Sequence, residues 1–507
     1  MRTIDDSLHF EIQDDGIRFL KSSITITVTI EELCDSIQRF WEVESVPQQF
    51  QSSTEEDECE KHFIATHRRD KTGRYVVQLP LKDSLEQFEE SRSLALRRFF
   101  GLEKRFAQQP ELKRQYVDFM QEYESLGHCK EVYEKNDVPV MRKWYLPHLA
   151  VLRLFDASAK KSGLSLNEMM KIGPISQSDL VAIVLRLREH RFVLTADIAK
   201  MYRQIVVADC YTPLQRIFWR KNSSDPLRVL ELSTVTYGTA SALFLATRAL
   251  LQLAIDKNHK YPLAASIVEN SCYVDNALFG YDSLPQAFEA QRQLISMMEA
   301  GGFHLHKWSS NIPALLESLP REDHKELVSL SEYGANEVIK TLGLMWNPDS
   351  DELMFVSKPT TNVRQPTKRQ ILQLVSQMFD PLGLVAPVVV IGKMLMQLVW
   401  KEKLDWDEPI VGDLVKGWTG FLHALEGVNQ LRIPRRVVSS SAVAFEMHGF
   451  ADASDVAYGA CVYIRSISED GSASMKIITG KSKVAPIAPL SIPRKELLAA
   501  LLQHLVW

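Results

Sequence analysis

The sequence predicts an α+β protein of two to four domains, and three observations carry that reading. Its 507 residues are several times the length of an ordinary domain. Short runs of β-branched and aromatic residues at 191–196, 271–279 and 339–346 alternate with longer helical stretches, the pattern of mixed α and β structure. The chain then changes character twice, first to paired apolar helices and last, after the polar, serine-rich residues 435–441, to a new β-type segment at 445–464.

Taken in order, Leu33, Ile37, Phe40 and Trp41 fall at helical spacing and predict one short helix at 31–41. Asp70-Lys71-Thr72-Gly73 reads as a tight turn into Arg74-Tyr75-Val76-Val77-Gln78-Leu79-Pro80, a hairpin ended by proline. Residues 84–123 are helical in composition, with a break at Gln109-Pro110. Ile371, Leu374, Val375 and Met378 recur on one helical face, and Asp380-Pro381-Leu382-Gly383 turns the chain into a second apolar helix. Residues 383–400 are the longest apolar run, but Pro387 and Lys393 interrupt it, so a buried helix is expected there and no membrane insertion. The pattern Leu497, Leu498, Leu501, Leu502, Leu505 runs to Trp507 without a cap or breaker, which reads as truncation within a helix.

Composition narrows the function classes. A net charge of −5 gives no global attraction for a polyanion, so nucleic-acid binding must rest on local clusters such as Arg92, Arg97, Arg98, Lys104, Arg105, Lys113 and Arg114. The same residues also fit an ordinary solvated helix face. Six scattered cysteines form no CxxC pair and no zinc spacing. With no signal-peptide pattern at the acidic N-terminus, an intracellular, cytoplasmic location is expected, a virus-like particle or the nucleus remaining open.

Two carboxylate features stand out. The apolar run Phe192-Val193-Leu194-Thr195-Ala196 delivers Asp197 at its end, and Cys272-Tyr273-Val274-Asp275-Asn276-Ala277-Leu278-Phe279 is apolar on both sides of a polar pair. Each alone fits an ordinary cap or hairpin turn. Together they fit phosphoryl transfer, which needs clustered carboxylates to hold two divalent ions about 4 Å apart. Magnesium prefers oxygen ligands and keeps several waters, so two or three carboxylates with substrate phosphates suffice.

The order of motifs is more specific. The strand bearing Asp197, then Val235-Thr236-Tyr237-Gly238-Thr239-Ala240-Ser241, the Tyr-Val-Asp-Asn loop, Gly302-Phe303-His304-Leu305-His306-Lys307-Trp308 and Leu342-Gly343-Leu344-Met345-Trp346 follow one another as the motifs of reverse transcriptases do. With Arg74-Tyr75-Val76-Val77-Gln78-Leu79-Pro80, Tyr145-Leu146-Pro147-His148, Phe155-Asp156-Ala157-Ser158 and Asp380-Pro381-Leu382-Gly383-Leu384-Val385-Ala386-Pro387, the chain resembles the Pao/BEL branch of LTR retrotransposons from about Glu31 onward. Phe450-Ala451-Asp452-Ala453-Ser454 is similar to the first hairpin of a ribonuclease H domain, and Glu496 to the glutamate on the following helix.

That resemblance implies a right-hand polymerase with fingers, a ferredoxin-like palm and a helical thumb, followed by a truncated RNase H-like α/β domain. The expected divisions are an N-terminal helical and hairpin region over 1–140, fingers and palm over 141–346, thumb or connection helices over 347–440, and the RNase H-like part over 441–507. It implies RNA-directed DNA polymerase activity on an RNA or DNA primer–template with dNTPs and two Mg2+ or Mn2+ ions. Asp197 and Asp275 would be the catalytic metal ligands. Tyr202 would exclude a 2′-hydroxyl, Gly238 would let the backbone approach nucleotide and template, Arg153 would contact the triphosphate and Lys307 would lie near the leaving pyrophosphate. Asp452 and Glu496 would be the RNase H-like remnant, too few for two metals.

Three departures bear on activity. Asn276 stands where the family carries a second aspartate, and a neutral amide is a poorer ligand for a hard cation. The run Leu149-Ala150-Val151-Leu152-Arg153-Leu154 is shorter than the family's fingers segment, and Leu243 replaces a usual proline. Polymerase activity is therefore expected to be strongly reduced or absent, which leaves a non-catalytic nucleic-acid-binding relic as the second reading. An aspartic peptidase, which Pao-type polyproteins include, would need an Asp-Thr-Gly or Asp-Ser-Gly triplet; the sequence has neither.

Overall fold

A computed structural model describes residues 53–82, 91–133, 143–148, 155–325, 344–357 and 365–506, and in addition the backbone of strands within 9–28 and 328–341. The helix expected at 31–41, Arg153 with the short 149–154 run, Leu342-Gly343 and Trp507 lie outside the described residues.

Strands β1 (His9–Gln13), β2 (Gly16–Lys21) and β3 (Ile24–Val28) form an antiparallel sheet of their own. Helix α1 (Thr54–Thr66) opens with a capping box in which the Ser53 and Glu56 side chains and backbone amides satisfy each other. The expected hairpin follows as β4 (Arg68–Arg69) and β5 (Tyr75–Val77), its turn closed by the Asp70 carboxylate accepting from the Thr72 and Arg74 amides at 2.8 and 3.0 Å. The long helical composition divides, as the proline predicts, into α2 (Arg92–Gln108) and α3 (Pro110–Ser125), because proline is tolerated only in a helix's first turn. Strand β6 (Cys129–Val132) and helix α4 (Leu180–Glu189), N-capped by Asp179, lead into the centre of the molecule.

There the elements are β7 (Phe192–Ile198), β8 (Val206–Val207), β9 (Arg216–Trp219), β10 (Arg228–Leu232), α5 (Ala242–Lys257), α6 (Pro262–Ser271), β11 (Cys272–Tyr273), β12 (Asn276–Tyr281), α7 (Leu284–Ala300) and β13 (Leu305–Ser310). The β-rich run expected from 271 starts with the last residue of α6, and the hairpin turn that the polar pair fits is the β11–β12 hairpin, turning at Val274-Asp275. β7 is an inner strand of the antiparallel sheet β11-β12-β7-β13. Strand alternation sends Leu194, Ala196 and Ile198 to the core shared with α5, α6 and α7, and Val193 to the opposite face, against Ile183, Val184 and Leu187 of α4. Asp197 shares the parity of Val193, so it ends that second face.

The rest comprises β14 (Val328–Leu330), β15 (Ala335–Thr341), β16 (Leu344–Asn347), β17 (Glu352–Met354), α8 (Lys368–Gln377), α9 (Ala386–Lys401), α10 (Asp413–Val428), β18 (Arg432–Pro434), β19 (Ala442–Ala453), β20 (Ala457–Ser468), β21 (Ala473–Val484) and α11 (Ile492–Val506). The expected helical pair is a trio, α8, α9 and α10, packed through Ile371, Leu374, Leu395, Val399, Trp418 and Phe421. β18 returns to β17 and completes the antiparallel sheet β14 to β18. β19, β20 and β21 form a three-stranded sheet with Ala499 and Leu502 of α11 packed on Tyr458 and Ala460. No helix among the described residues is long and apolar enough to cross a membrane.

Contacts from the Asp380–Gly383 turn and from α4 help to fasten that last sheet to the rest. The Asp380–Gly383 turn docks backbone to backbone on β21, with the Gly480 amide and the Thr479 hydroxyl both donating to the Leu382 carbonyl at 2.8 Å. Arg188, at the end of α4, donates to the carbonyls of Ile478, Pro434 and Arg435. Arg435, fully buried, grips both carboxylate oxygens of Asp351 at 2.6 Å and also donates to the Leu187 and His190 carbonyls. The polar composition of 435–441 suggests an exposed connection, yet its first residue is among the most buried side chains described.

Two buried histidines give the fold an acid limit. Burial lowers His148 to about 4, and burial with the neighbouring Arg203 guanidinium lowers His128 to about 4, from an ordinary value of 6.5. The unfolded chain therefore takes up these protons first, so the stability they contribute is complete above pH 6.5 and is lost as the pH falls towards 4. Urea unfolding followed from pH 7 to 4 should show a falling midpoint, with a shallower fall in His148→Gln. Equal slopes in the two proteins would remove His148 from the account.

Candidate active site

The site is built where β7 ends. Asn276 on β12 and His306 on β13 are the direct cross-strand neighbours of Asp197, so the three residues form one row on one sheet face. Asp275 occupies the two-residue turn between β11 and β12, and its carbonyl accepts the Ile198 amide at 2.6 Å, pinning the turn to the end of β7. The two carboxylates singled out in the sequence are thus on neighbouring backbone segments.

The turn is strained. Val274 has φ +54, in the left-handed region that a β-branched residue rarely enters, and its amide donates to the Gln177 side chain at 2.9 Å. Asn276 does not stand apart from the carboxylates, since its amide nitrogen donates to Asp275 Oδ1 at 2.9 Å. Lys307 reaches Asp197 from the third strand, Nζ to Oδ2 2.8 Å, with the lysine side chain half exposed and the aspartate 15% exposed. Lys307, expected near the leaving pyrophosphate, makes in this structure an ion pair with Asp197.

Tyr202 lies in the short turn Met201–Gln204 after β7, nearly buried, its ring 4.6 Å from that of Tyr237. Burial, with the Asp275 carboxylate second, pushes its phenol well above the usual range. Gly238 has φ +91, and a Cβ there would lie 2.6 Å from the Phe155 carbonyl oxygen. The close approach that requires glycine is therefore to the chain's own backbone. Asn167 clamps the same loop, donating to the Gly238 carbonyl at 2.9 Å and accepting from the Ala240 amide at 2.8 Å. Neither Asn167 nor Gln177 carries a local sequence signal, because each meets its partner from a distant part of the sequence.

The basic residues of α2 and α3 are largely matched within the chain. Arg98 pairs with Asp156, Arg114 with Glu111 and Asp118, Lys113 donates to Asn222, and Arg92 lies over the Phe218 ring. In the C-terminal sheet Asp452 is exposed on β19, its carboxylate accepting from the Ala453 amide, and Glu496 lies on α11, which packs against that strand. Among the described residues no group of three or more His, Cys, Asp or Glu side chains is placed to hold a metal ion. At the end of β7 the charged oxygen donors are the carboxylates of Asp197 and Asp275; the third position is an amide and Lys307 engages Asp197, a donor set poor for two divalent ions.

Residues 367–506 match the family model described as a Pao retrotransposon-like RNaseH-like domain. That segment runs from α8 to α11 and holds Asp452 and Glu496; the sheet bearing Asp197 and Asp275 lies before it. Among solved structures the chain is similar to the foamy viral protease-reverse transcriptase dRH in complex with double-stranded DNA, at 12% identity and a TM-score of 0.47 over 75% of this chain and 57% of that one. It is also similar to the foamy viral protease-reverse transcriptase in complex with an RNA/DNA hybrid, at 12% identity and 0.44 over 70% and 41%. The chain thus spans a little over half the length of the first of these and less than half of the second. No curated protein matches the chain.

Proposed function

We propose that the chain is a retroelement reverse-transcriptase module that holds RNA or DNA primer–template and extends it weakly if at all. On this reading fingers and a ferredoxin-like palm occupy 141–346, a helical thumb 347–440 and an RNase H-like part 441–507. The observation that carries it is the meeting of the Asp197 strand end with the strained Asp275 turn, joined by the Ile198 amide. Strain held at the rim of a sheet is a mark of a functional site.

Within it the chain's own residues do the following. Asp197 and Asp275 would hold a divalent cation, which supplies charge neutralisation for a phosphate when bound. The Asn276 amide orients the Asp275 carboxylate, and Gln177 holds the turn that presents it. Tyr202, fixed against Tyr237, forms the floor beside Asp275, where a nucleotide sugar would rest. Asn276 and the Lys307 contact favour a second reading, a nucleic-acid-binding protein without catalysis.

Primer extension with Mg2+ or Mn2+, alongside anisotropy of a labelled primer–template, tests both. Binding should weaken as salt rises. Asn276→Asp should raise extension by about tenfold or more, since it restores a charged oxygen ligand, and Asp197→Ala should abolish it. Absence of primer–template binding would sink the module reading. Extension by the unaltered chain equal to that of Asn276→Asp would sink the claim of a weakened centre, and no extension by either would leave the binding protein.

A further inference from the structure

Resting on that reading of the site, we infer that Lys307 is a built-in cation: its ammonium takes the Asp197 oxygen that a second divalent ion would need, so the centre accepts one such ion.

The backbone shows that the contact is constructed. In a regular strand successive side chains point to opposite faces. His306 is the cross-strand partner of Asp197 and so shares its face; the next residue should point away. Instead β13 slips register between His306 and Ser309, and Lys307 adopts φ +53. A bulge of this kind re-aims a side chain, and here it brings the lysine to 2.8 Å from Asp197 Oδ2. A left-handed lysine is strained, so the geometry needs a return, and the charge pair at a largely buried carboxylate is one.

The neighbours of Asp197 point the same way. Across the sheet it faces the Asn276 amide on one side and the His306 imidazole on the other, and neither contributes negative charge. The Asn276 nitrogen is committed to Asp275. Two carboxylates and one lysine leave about one net negative charge, which a single divalent ion already exceeds, and the next carboxylate near His306, Asp323, is engaged by His304; two divalent ions would stand beside an ammonium with too little negative charge to balance them. Lys307 and Asn276 therefore act together: the amide removes a ligand and the lysine supplies the cation that the ligand would have helped to bind.

The test counts Mn2+ by electron paramagnetic resonance on the full chain without nucleic acid. The unaltered chain and Lys307→Arg should each bind one ion at the site, lost in Asp275→Asn. Lys307→Met, and Lys307→Asn, whose side chain tolerates the left-handed backbone, should bind Mn2+ about tenfold more tightly or take up a second ion, as removal of an adjacent charge requires. A circular-dichroism melt would verify that each variant is folded. Two ions in the unaltered chain, or identical counts and affinities in folded Lys307→Met and Lys307→Asn, would overturn the inference. Because these readings use no primer–template, a protein that fails to bind nucleic acid would overturn the proposed function and leave the ion count standing.

Discussion

Arg435→Met is expected to cost about 3–5 kcal/mol of stability, the range for removing one partner of a buried ion pair. Arg435 is 0% exposed, and its guanidinium satisfies both oxygens of Asp351 and the Leu187 and His190 carbonyls near the end of α4. Methionine can fill the volume and satisfies none of these acceptors, so two carbonyls lose a donor and the Asp351 carboxylate loses its counter-charge, keeping only the neutral donors of Trp346 and Asn311. Lysine should rescue little, because a single ammonium cannot reproduce the planar fork that meets two carboxylate oxygens at once. Arg188 sharpens the effect: burial, with the nearby Arg435 charge second, lowers its guanidinium to about 10, and its donations to Pro434 and Arg435 depend on that backbone staying in place. Urea melts of Arg435→Met, Asp351→Asn and the double variant would measure the coupling. A loss below about 1 kcal/mol in Arg435→Met would mean that the pair is no stronger than a surface ion pair.

Gly383→Ala should have a comparable effect by a different route. A Cβ at this position would lie 1.7 Å from the Gly480 carbonyl oxygen, and the residue has φ +66. The obstacle is backbone in the middle of a hydrogen-bonded strand, so the turn must lift away from β21. The Gly480 and Thr479 donations to Leu382 are then lost with it. Left-handed strain and two broken hydrogen bonds together come to about 3 kcal/mol or more. Hydrogen exchange should show it locally, as faster exchange of the Gly480 amide while that of Ile198 is unchanged. Unchanged protection at Gly480 would mean that the turn accommodates the methyl group by some other shift.

Much of the scaffold was legible because its signals are local. The apolar run of 192–196, the turn residues at Asp70-Lys71-Thr72-Gly73, the break before Pro110 and the spacing of Ile371, Leu374 and Val375 each report the conformation of their own few residues. The same holds for Asp197 and Asp275, which stand out as polar interruptions of apolar runs. What was not legible depends on meetings between distant segments. Nothing near Gln177 signals that it holds Val274, and nothing near Asn167 signals that it bridges Gly238 and Ala240. Arg188 and Arg435 look like surface residues in a polar context, since only the folded arrangement of α4, β17, β18 and β21 supplies their carbonyl and carboxylate partners. Lys307 is the instructive case: its motif stood out by resemblance, but the slipped register that turns it towards Asp197 leaves no trace in composition.

The position of Asp197, Asn276 and Lys307 at the margin of their sheet also bears on how such a sequence can change over generations. The apolar residues that hold this sheet, Leu194, Ala196 and Phe279 on one side and Val193 and Leu278 on the other, owe nothing to the charges at its end. An exchange of aspartate for asparagine at such a margin leaves folding intact and is hidden from any selection that acts through stability alone. Charge chemistry and apolar architecture can therefore vary independently in a sheet of this kind.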